Sequence, residues 1–511
     1  MAQEIVKSSP RICSSSAAAD LPAFFGQDIE ELEIVPVSDS ESRKCDLCDF
    51  VSSCFRTQGI SYEPLDVSYR LYNTPLTLDR SVYLGVIRHG LPFGSLEDGY
   101  SLSYVTLQDP TIYHVYASIM RLPPSTTSLA RATSPKIDWR TVRTWFRNDT
   151  TPTNGKLSSG NSSRLLVIEC RTRTLVLINE GIEYVTLSYV WGSLPATGNV
   201  KCTVNGLLPE LPRTIQDSIV VCLELGYQFL WVDRYCIPQD NTVQRHQQIQ
   251  RMDVIYTNSA LTIVACAGSS PQYGLPGVTT SRQNLPSLNL EQSGYLQMIP
   301  SVRDIRVSAW AQRAWTYQET LLSNTRLYFT ETQLYFESSK HVSCEWLILS
   351  QNKPVSISPS DWIYSQSTWL SSPSDIYDCI GKYTTRTLSF ESDALNAFLG
   401  ILAAYERQFG VYHMWGMPYL RLDRAASALP TMSHSLFFEL TNKSVRRTDF
   451  PSWSWTGWTH SVGWVEYQIS SYVNWHMDFE IAVELKSGTI LDWHPYSSSQ
   501  DFYAQKIETL S

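Results

Sequence analysis

The chain has 511 residues, 43% hydrophobic and 12% aromatic, more apolar material than a single core usually holds, so two or three packing units are expected. A formal net charge of -9 and a pI near 5.6 exclude a general basic field, and no nucleic-acid partner is expected. The longest strongly apolar stretches, such as residues 397–404, fall far short of the ~20 residues that cross a bilayer, so no membrane span is expected.

The opening Met1 to Lys7 leads into Ser and Ala rather than an apolar core with a cleavage site, so it does not read as a secretory signal. Eleven cysteines are scattered without a dense framework, which fits a reducing compartment and a cytoplasmic location. Cys45-x2-Cys48 followed by Cys54 has part of a zinc spacing but lacks a fourth ligand nearby, and no metal is expected.

In chain order, residues 1–45 are rich in Ser, Ala and acids and read as a loose leader. Residues 46–160 form a β-rich N-terminal region ending in a Thr, Ser, Gly and Asn rich linker. A regular pattern then begins. Leu165–Ile168 and Thr174–Ile178 read as a hairpin, and residues 184–191 as a strand ended by Gly192. Pro212 and Thr214 open a helix with Thr214 as its cap, Asp217 in its first turn and Gly226 at its end. Residues 229–232 form a short buried strand running into Asp233. A single helix over Thr242 to Tyr256 and a strand over Leu261–Cys266 complete a β-α-β-α-β order. That order predicts an α/β fold with a central, mostly parallel sheet flanked by helices, over residues 161–345. Residues 346–511 read as a mixed α+β extension, in which Phe450 to Trp458 alternates aromatic and small polar residues as a half-buried strand would.

Ligands of such sheets bind beyond the carboxyl ends of the strands. Trp191-Gly192-Ser193 and the segment from Asp233 to Asp240 occupy that kind of position. Read together, Tyr184-x-x-Leu187-Ser188-Tyr189-Val190-Trp191-Gly192, Leu211-Pro212-x-Thr214-Ile215-x-Asp217, Trp231-Val232-Asp233-x-x-Cys236-Ile237-x-Gln239-Asp240 and Arg313-Ala314-Trp315-Thr316-x-Gln318-Glu319 resemble the fungal heterokaryon-incompatibility (HET) domain. The resemblance implies a protein of self/non-self recognition and programmed cell death that works through a protein partner. It also implies a distant likeness to the TIR fold, some of whose members cleave NAD, so NAD is a substrate under that alternative and no cofactor is otherwise expected. This sequence departs from the family where Val243-Gln244-Arg245 stands in place of an acid before the Arg, and an amide cannot act as a carboxylate base. A third alternative, resting on the polar crevice alone, is recruitment to a secondary-metabolite pathway.

The candidate catalytic residues are Asp233, Glu319 and Cys236. An acid at a strand end can orient a ligand or hold the next turn, and a Cys is a nucleophile only if an imidazole such as His246 or a helix terminus lowers its pKa. The candidate ligand-binding residues are Trp191, Gly192, Gln239, Asp240, Arg313 and Trp315. Each also has a plain structural use: Trp191 can close a core, Asp240 can cap a helix, and Arg313 and Glu319 can be ordinary helix residues. The functional reading requires these side chains to line one crevice.

Overall fold

The computed structural model describes residues 31–34, 45–57, 69–75, 82–88, 117–122, 134–148, 164–192, 204, 206, 208, 210–238, 242–289, 295–298, 303–339, 342–345, 370–420, 435–436, 438–440, 444–464, 481–484 and 490–493. The chain divides into two units, one of Met1–Ile249, Ile255–Gln312 and Glu319–Ser365, the other of Gln250–Val254, Arg313–Gln318 and Gln366–Ser511. Among the described residues no helix is long and apolar enough to cross a membrane.

Up to residue 345 the elements are β1 (Glu31–Ile34), α1 (Asp46–Thr57), β2 (Tyr69–Pro75), β3 (Val82–Arg88), β4 (Ala117–Leu122), α2 (Trp139–Asn148), β5 (Leu165–Glu169), β6 (Thr174–Ile178) and β7 (Val185–Ser188). There follow α3 (Arg213–Leu225), β8 (Phe229–Trp231), α4 (Asp233–Cys236), α5 (Thr242–Gln250), α6 (Met252–Thr257), β9 (Leu261–Ala265), β10 (Ser287–Asn289) and β11 (Tyr295–Met298). The series closes with α7 (Arg303–Arg306), α8 (Ala314–Leu321), β12 (Thr325–Phe329), β13 (Leu334–Ser338) and β14 (Val342–Cys344).

A six-stranded antiparallel sheet runs β1-β2-β3-β4-β11-β10. Its first strand falls inside the segment expected to be a loose leader: residues 31–34 pair with Tyr69–Tyr72. The second sheet has eight strands in the order β14-β13-β12-β9-β7-β8-β5-β6. Only β8, β7, β9 and β12 are mutually parallel, and antiparallel strands complete both edges, so the expected mostly parallel sheet is in fact mixed. The reason is local: β5 to β6 and β12 to β13 are tight connections, and a connection too short for a crossover can only return antiparallel.

The faces of this sheet differ in chemistry. Register and alternation put Ile168, Val185, Leu187, Leu230, Ile263, Leu327, Phe329 and Phe336 on one side. All are buried, and Trp145 and Phe146 of α2 meet Phe336 at ring distances of 6.3 and 4.9 Å. The opposite side carries Thr186, Ser188, Trp231, Thr262, Arg326, Tyr328 and Glu337, also buried. Hydroxyls link across it: Thr186 Oγ1 and Thr262 Oγ1 lie 2.7 Å apart, and Thr262 Oγ1 and Ser323 Oγ 2.6 Å apart.

Helix α3 starts after Pro212, whose fixed φ suits a helix entry, and ends where Gly226 takes φ 89° and donates to the carbonyls of Cys222 and Leu223. The expected cap at Thr214 is absent, because no side chain caps this terminus and the Thr214 hydroxyl is engaged elsewhere. The expected single helix over 242–256 is two, α5 and α6, separated at Arg251.

The second unit contains α9 (Asp375–Thr384), α10 (Leu399–Phe409) and the pairs β15 (Val411–Met414) with β16 (Met417–Leu420), β17 (Phe438–Leu440) with β18 (Val462–Trp464), and β19 (Ile481–Glu484) with β20 (Ile490–Trp493). The segment from Phe450 to Trp458 is not the expected strand. It is a turn followed by a 3₁₀ turn at Trp455–Gly457, opened by Ser454 Oγ accepting from the Thr456 N–H. Trp455 is buried edge-on against Tyr383 and Phe398 and donates its indole N–H to the Gly416 carbonyl at 2.9 Å.

Candidate functional site

In the parallel part of the sheet the chain leaves β7 toward β8 on one side and β9 toward β12 on the other, which makes the carboxyl ends of β7 and β9 a switch point. Ser188 ends β7. Its hydroxyl donates to Glu319 Oε2 at 2.5 Å, and the indole N–H of Trp310 donates to Ser188 Oγ at 2.8 Å. Tyr256 from α6 borders the group: its phenol donates to the Leu187 carbonyl at 3.4 Å. Burial, followed by the nearby charges of Glu319 and Asp233, holds the Tyr256 phenol well above its usual range. Glu319 itself is only 4% exposed.

A second buried group fixes the helix that carries Glu319. Arg326 Nη1 donates to the carbonyls of Thr320 and Ser323 at 2.7 Å each, where the last turn of α8 leaves acceptors without intrahelical partners. Its Nε pairs with Glu337 Oε2 at 3.0 Å, and the Tyr328 hydroxyl donates to the same oxygen at 2.7 Å.

Beside this group, Trp191 Nε1 donates to Asp233 Oδ2 at 2.9 Å, while the backbone N–H of Arg234 donates to Asp233 Oδ1 at 2.7 Å. The Arg234 guanidinium lies 5.9 Å from the Trp191 ring centre, a cation–π distance. Gly192 has φ 70°, and a Cβ there would come within 2.8 Å of Pro271 Cδ, so both conformation and space call for glycine. Cys236 is buried and its sulfur accepts from the Val232 N–H at 3.3 Å, which makes it part of the turn after β8.

The Leu211 to Asp217 motif holds the loop after β9. Thr214 donates its N–H to the Pro271 carbonyl and accepts from the Gly274 N–H at 3.2 Å. Asp217 Oδ2 accepts from the Leu275 N–H at 2.7 Å, and the Thr279 hydroxyl donates to Oδ1 at 2.8 Å. Burial raises the Asp217 carboxyl above its usual range despite these bonds. A shallow cleft of about 420 Å³ lies at the start of α3, lined by Glu210, Leu211, Arg213, Gln216 and Gln272, and none of the candidate residues borders it.

Residues 184–319, which contain all of these motifs, match the family described as Heterokaryon incompatibility protein (HET). The chain carries a HET domain. Over 94 residues it is 31% identical to "Heterokaryon incompatibility protein 6, OR allele" of Neurospora crassa, a match covering 16% of this chain and 14% of that relative. No solved structure matches.

Within the HET domain, then, Trp191 and Asp233 are brought into direct contact, and Tyr256 feels the charges of both Asp233 and Glu319. Arg313 and Trp315 belong to the second unit, where the Arg313 carbonyl accepts from Arg386 Nη1 at 3.4 Å and Trp315 Nε1 donates to Asp393 Oδ2 at 3.3 Å. Gln239, Asp240 and the side chain of His246 lie outside the described residues, and Gln244 is exposed. Among the described residues no group of three or more His, Cys, Asp or Glu is placed to hold a metal ion.

Sequence reasoning passed over Ser188, Tyr256 and Trp310. The signal for Ser188 was present: Thr186, Ser188 and Thr262 are hydroxyl residues at period two inside otherwise apolar strands, and buried hydroxyls need partners. Nothing local marks Trp310, whose importance comes from its bond to a residue 122 positions away.

Proposed function

We propose that this chain acts in fungal self/non-self recognition, through association with a protein partner and with cell death as its output. The observation that carries the reading is the use to which the HET motif is put. Thr214, Asp217, Trp191 and Asp233 are bonded to the domain's own loops, as befits residues that shape a recognition scaffold. Inducible expression in a filamentous fungal host tests it. The wild-type chain is expected to reduce viability, and Asp217→Ala, which loosens the loop after β9, to restore it. Undiminished viability at a confirmed level of wild-type protein would end this reading.

A second reading, a TIR-like NAD or nucleotide hydrolase, is favoured by one arrangement: the Glu319 carboxylate sits at a sheet switch point among Ser188 and Tyr256. Incubating the purified chain with NAD and following nicotinamide release tests it. Turnover lost in Glu319→Gln supports hydrolysis, whereas a wild-type rate no higher than that of the variant removes it.

A further inference from the structure

Away from the site described above, the cleft at the start of α3 has the volume of a small-molecule site but a polar lining. Its volume of about 420 Å³ lies within the range of about 300–1,000 Å³ that such sites occupy, and Glu210, Arg213, Gln216 and Gln272 line it beside Leu211. Bonds within the walls decide which atoms remain for a ligand. Gln216 donates its Nε2 to the Leu211 carbonyl at 2.6 Å, which leaves its Oε1 as an acceptor. Gln272 accepts the Arg213 backbone N–H on its Oε1 at 3.4 Å, which leaves its Nε2 as a donor. Arg213 donates its Nε to the Thr279 hydroxyl at 3.0 Å, and among the described residues neither its terminal nitrogens nor the Glu210 carboxylate carries a hydrogen bond. Thr214 and Asp217 already pin the loop that carries Gln272, through the Pro271 carbonyl and the Leu275 N–H, so both walls are formed before any ligand arrives.

We propose that this cleft binds a small zwitterion, a carboxylate with an ammonium group close by, as in a free amino acid or a short peptide. The ligand carboxylate takes the Arg213 guanidinium and the Gln272 amide N–H, and its ammonium takes the Glu210 carboxylate and the Gln216 amide oxygen. A simple anion fits less well. The backbone N–H groups of Arg213, Thr214, Ile215 and Gln216 already have acceptors, and Glu210 repels a second negative charge. Glu210 and Arg213 are both exposed, and a single exposed charge pair contributes little in water, so the ligand needs both of its charges. Bound there, it bridges α3 to the loop after β9, whose Pro271 packs so closely on Gly192 that a Cβ at that glycine would lie 2.8 Å from Pro271 Cδ. Occupancy therefore braces the turn after β7 that carries Trp191.

The test is ligand-observed saturation-transfer NMR on the full chain with each proteinogenic amino acid, with triglycine, and with the N-acetyl and amide forms of every ligand that binds. At least one zwitterion is expected to bind, and its N-acetyl and amide forms to bind about tenfold more weakly or worse. Whether amino acids, triglycine or both give a signal tells which zwitterions enter. Glu210→Gln should remove the preference for the free ligand over its N-acetyl form, and Arg213→Gln the preference over its amide. Circular dichroism checks that both variants fold, and the wild-type panel decides the matter even if one does not. No binding at millimolar concentration, undiminished binding of a blocked form, or wild-type affinity in either folded variant would overturn the proposal.

Discussion

The two faces of the β7-β9-β12 strands are equally buried, but only one of them adds a network of polar bonds to its apolar packing. One presents Leu187, Ile263, Leu327 and Phe329 and is held by non-directional burial of apolar surface. The other packs Val264, Tyr328 and Tyr335 in an apolar cluster with Trp310, and adds Ser188, Thr262 and Arg326, held by directional bonds whose loss leaves a polar atom stranded. The apolar face tolerates exchange of one hydrophobe for another of similar volume, whereas the polar face fixes particular partners. The second kind of surface is where the Glu319 group lies.

The largest effect is expected where the polar face holds an ion pair. Glu337→Ala strands the Arg326 guanidinium at 0% exposure and should cost about 3–5 kcal/mol in denaturant unfolding. Replacing Arg326 and Glu337 together by hydrophobes of similar volume should recover most of that loss, and failure to recover it would mean the pair does more than satisfy itself. Next comes the loop clamp. Asp217→Ala leaves the Leu275 N–H and the Thr279 hydroxyl without their acceptor and should cost about 1–3 kcal/mol.

The smallest effect belongs to the hairpin edge and depends on pH. Partial burial pushes Glu169 up, but hydrogen bonds from Thr172 and the Arg171 backbone, with the Arg171 charge, outweigh it and leave the carboxyl below its usual 4.5. A lowered carboxyl stabilises the fold above that value and loses the contribution as the pH falls through the folded-state value. Glu169→Gln should therefore cost about 0.5 kcal/mol or less at neutral pH, since the group is partly exposed, and nothing in strong acid. Unfolding curves of the two proteins at both pH values check this.

The apolar face was the legible one. Leu165–Ile168, Thr174–Ile178, the start of β7 and the run into β8 could be read because apolar periodicity is a local property. So could the parallel order of β7, β8 and β9, which follows from intervening helices. The polar face was not legible, because its bonds join residues far apart in sequence: Ser188 to Glu319, Trp310 to Ser188, Thr262 to Ser323. Thr214 was misread for the same reason, since a local capping rule gave way to a bond with the Gly274 N–H across 60 positions. Of the candidate residues, Asp233 and Trp191, chosen for their place after strand ends, bond to each other, whereas Cys236 lies in the turn after β8 as a buried acceptor.

Ser188 and Glu319 form one bonded unit at the switch point of the HET sheet. A double-mutant cycle with Ser188→Ala and Glu319→Gln, read by chemical unfolding, measures the coupling between them. Direct bonding predicts an interaction energy of about 0.5–3 kcal/mol between the two sites. Additivity to within about 0.3 kcal/mol would contradict it, and would mean that the two side chains act independently.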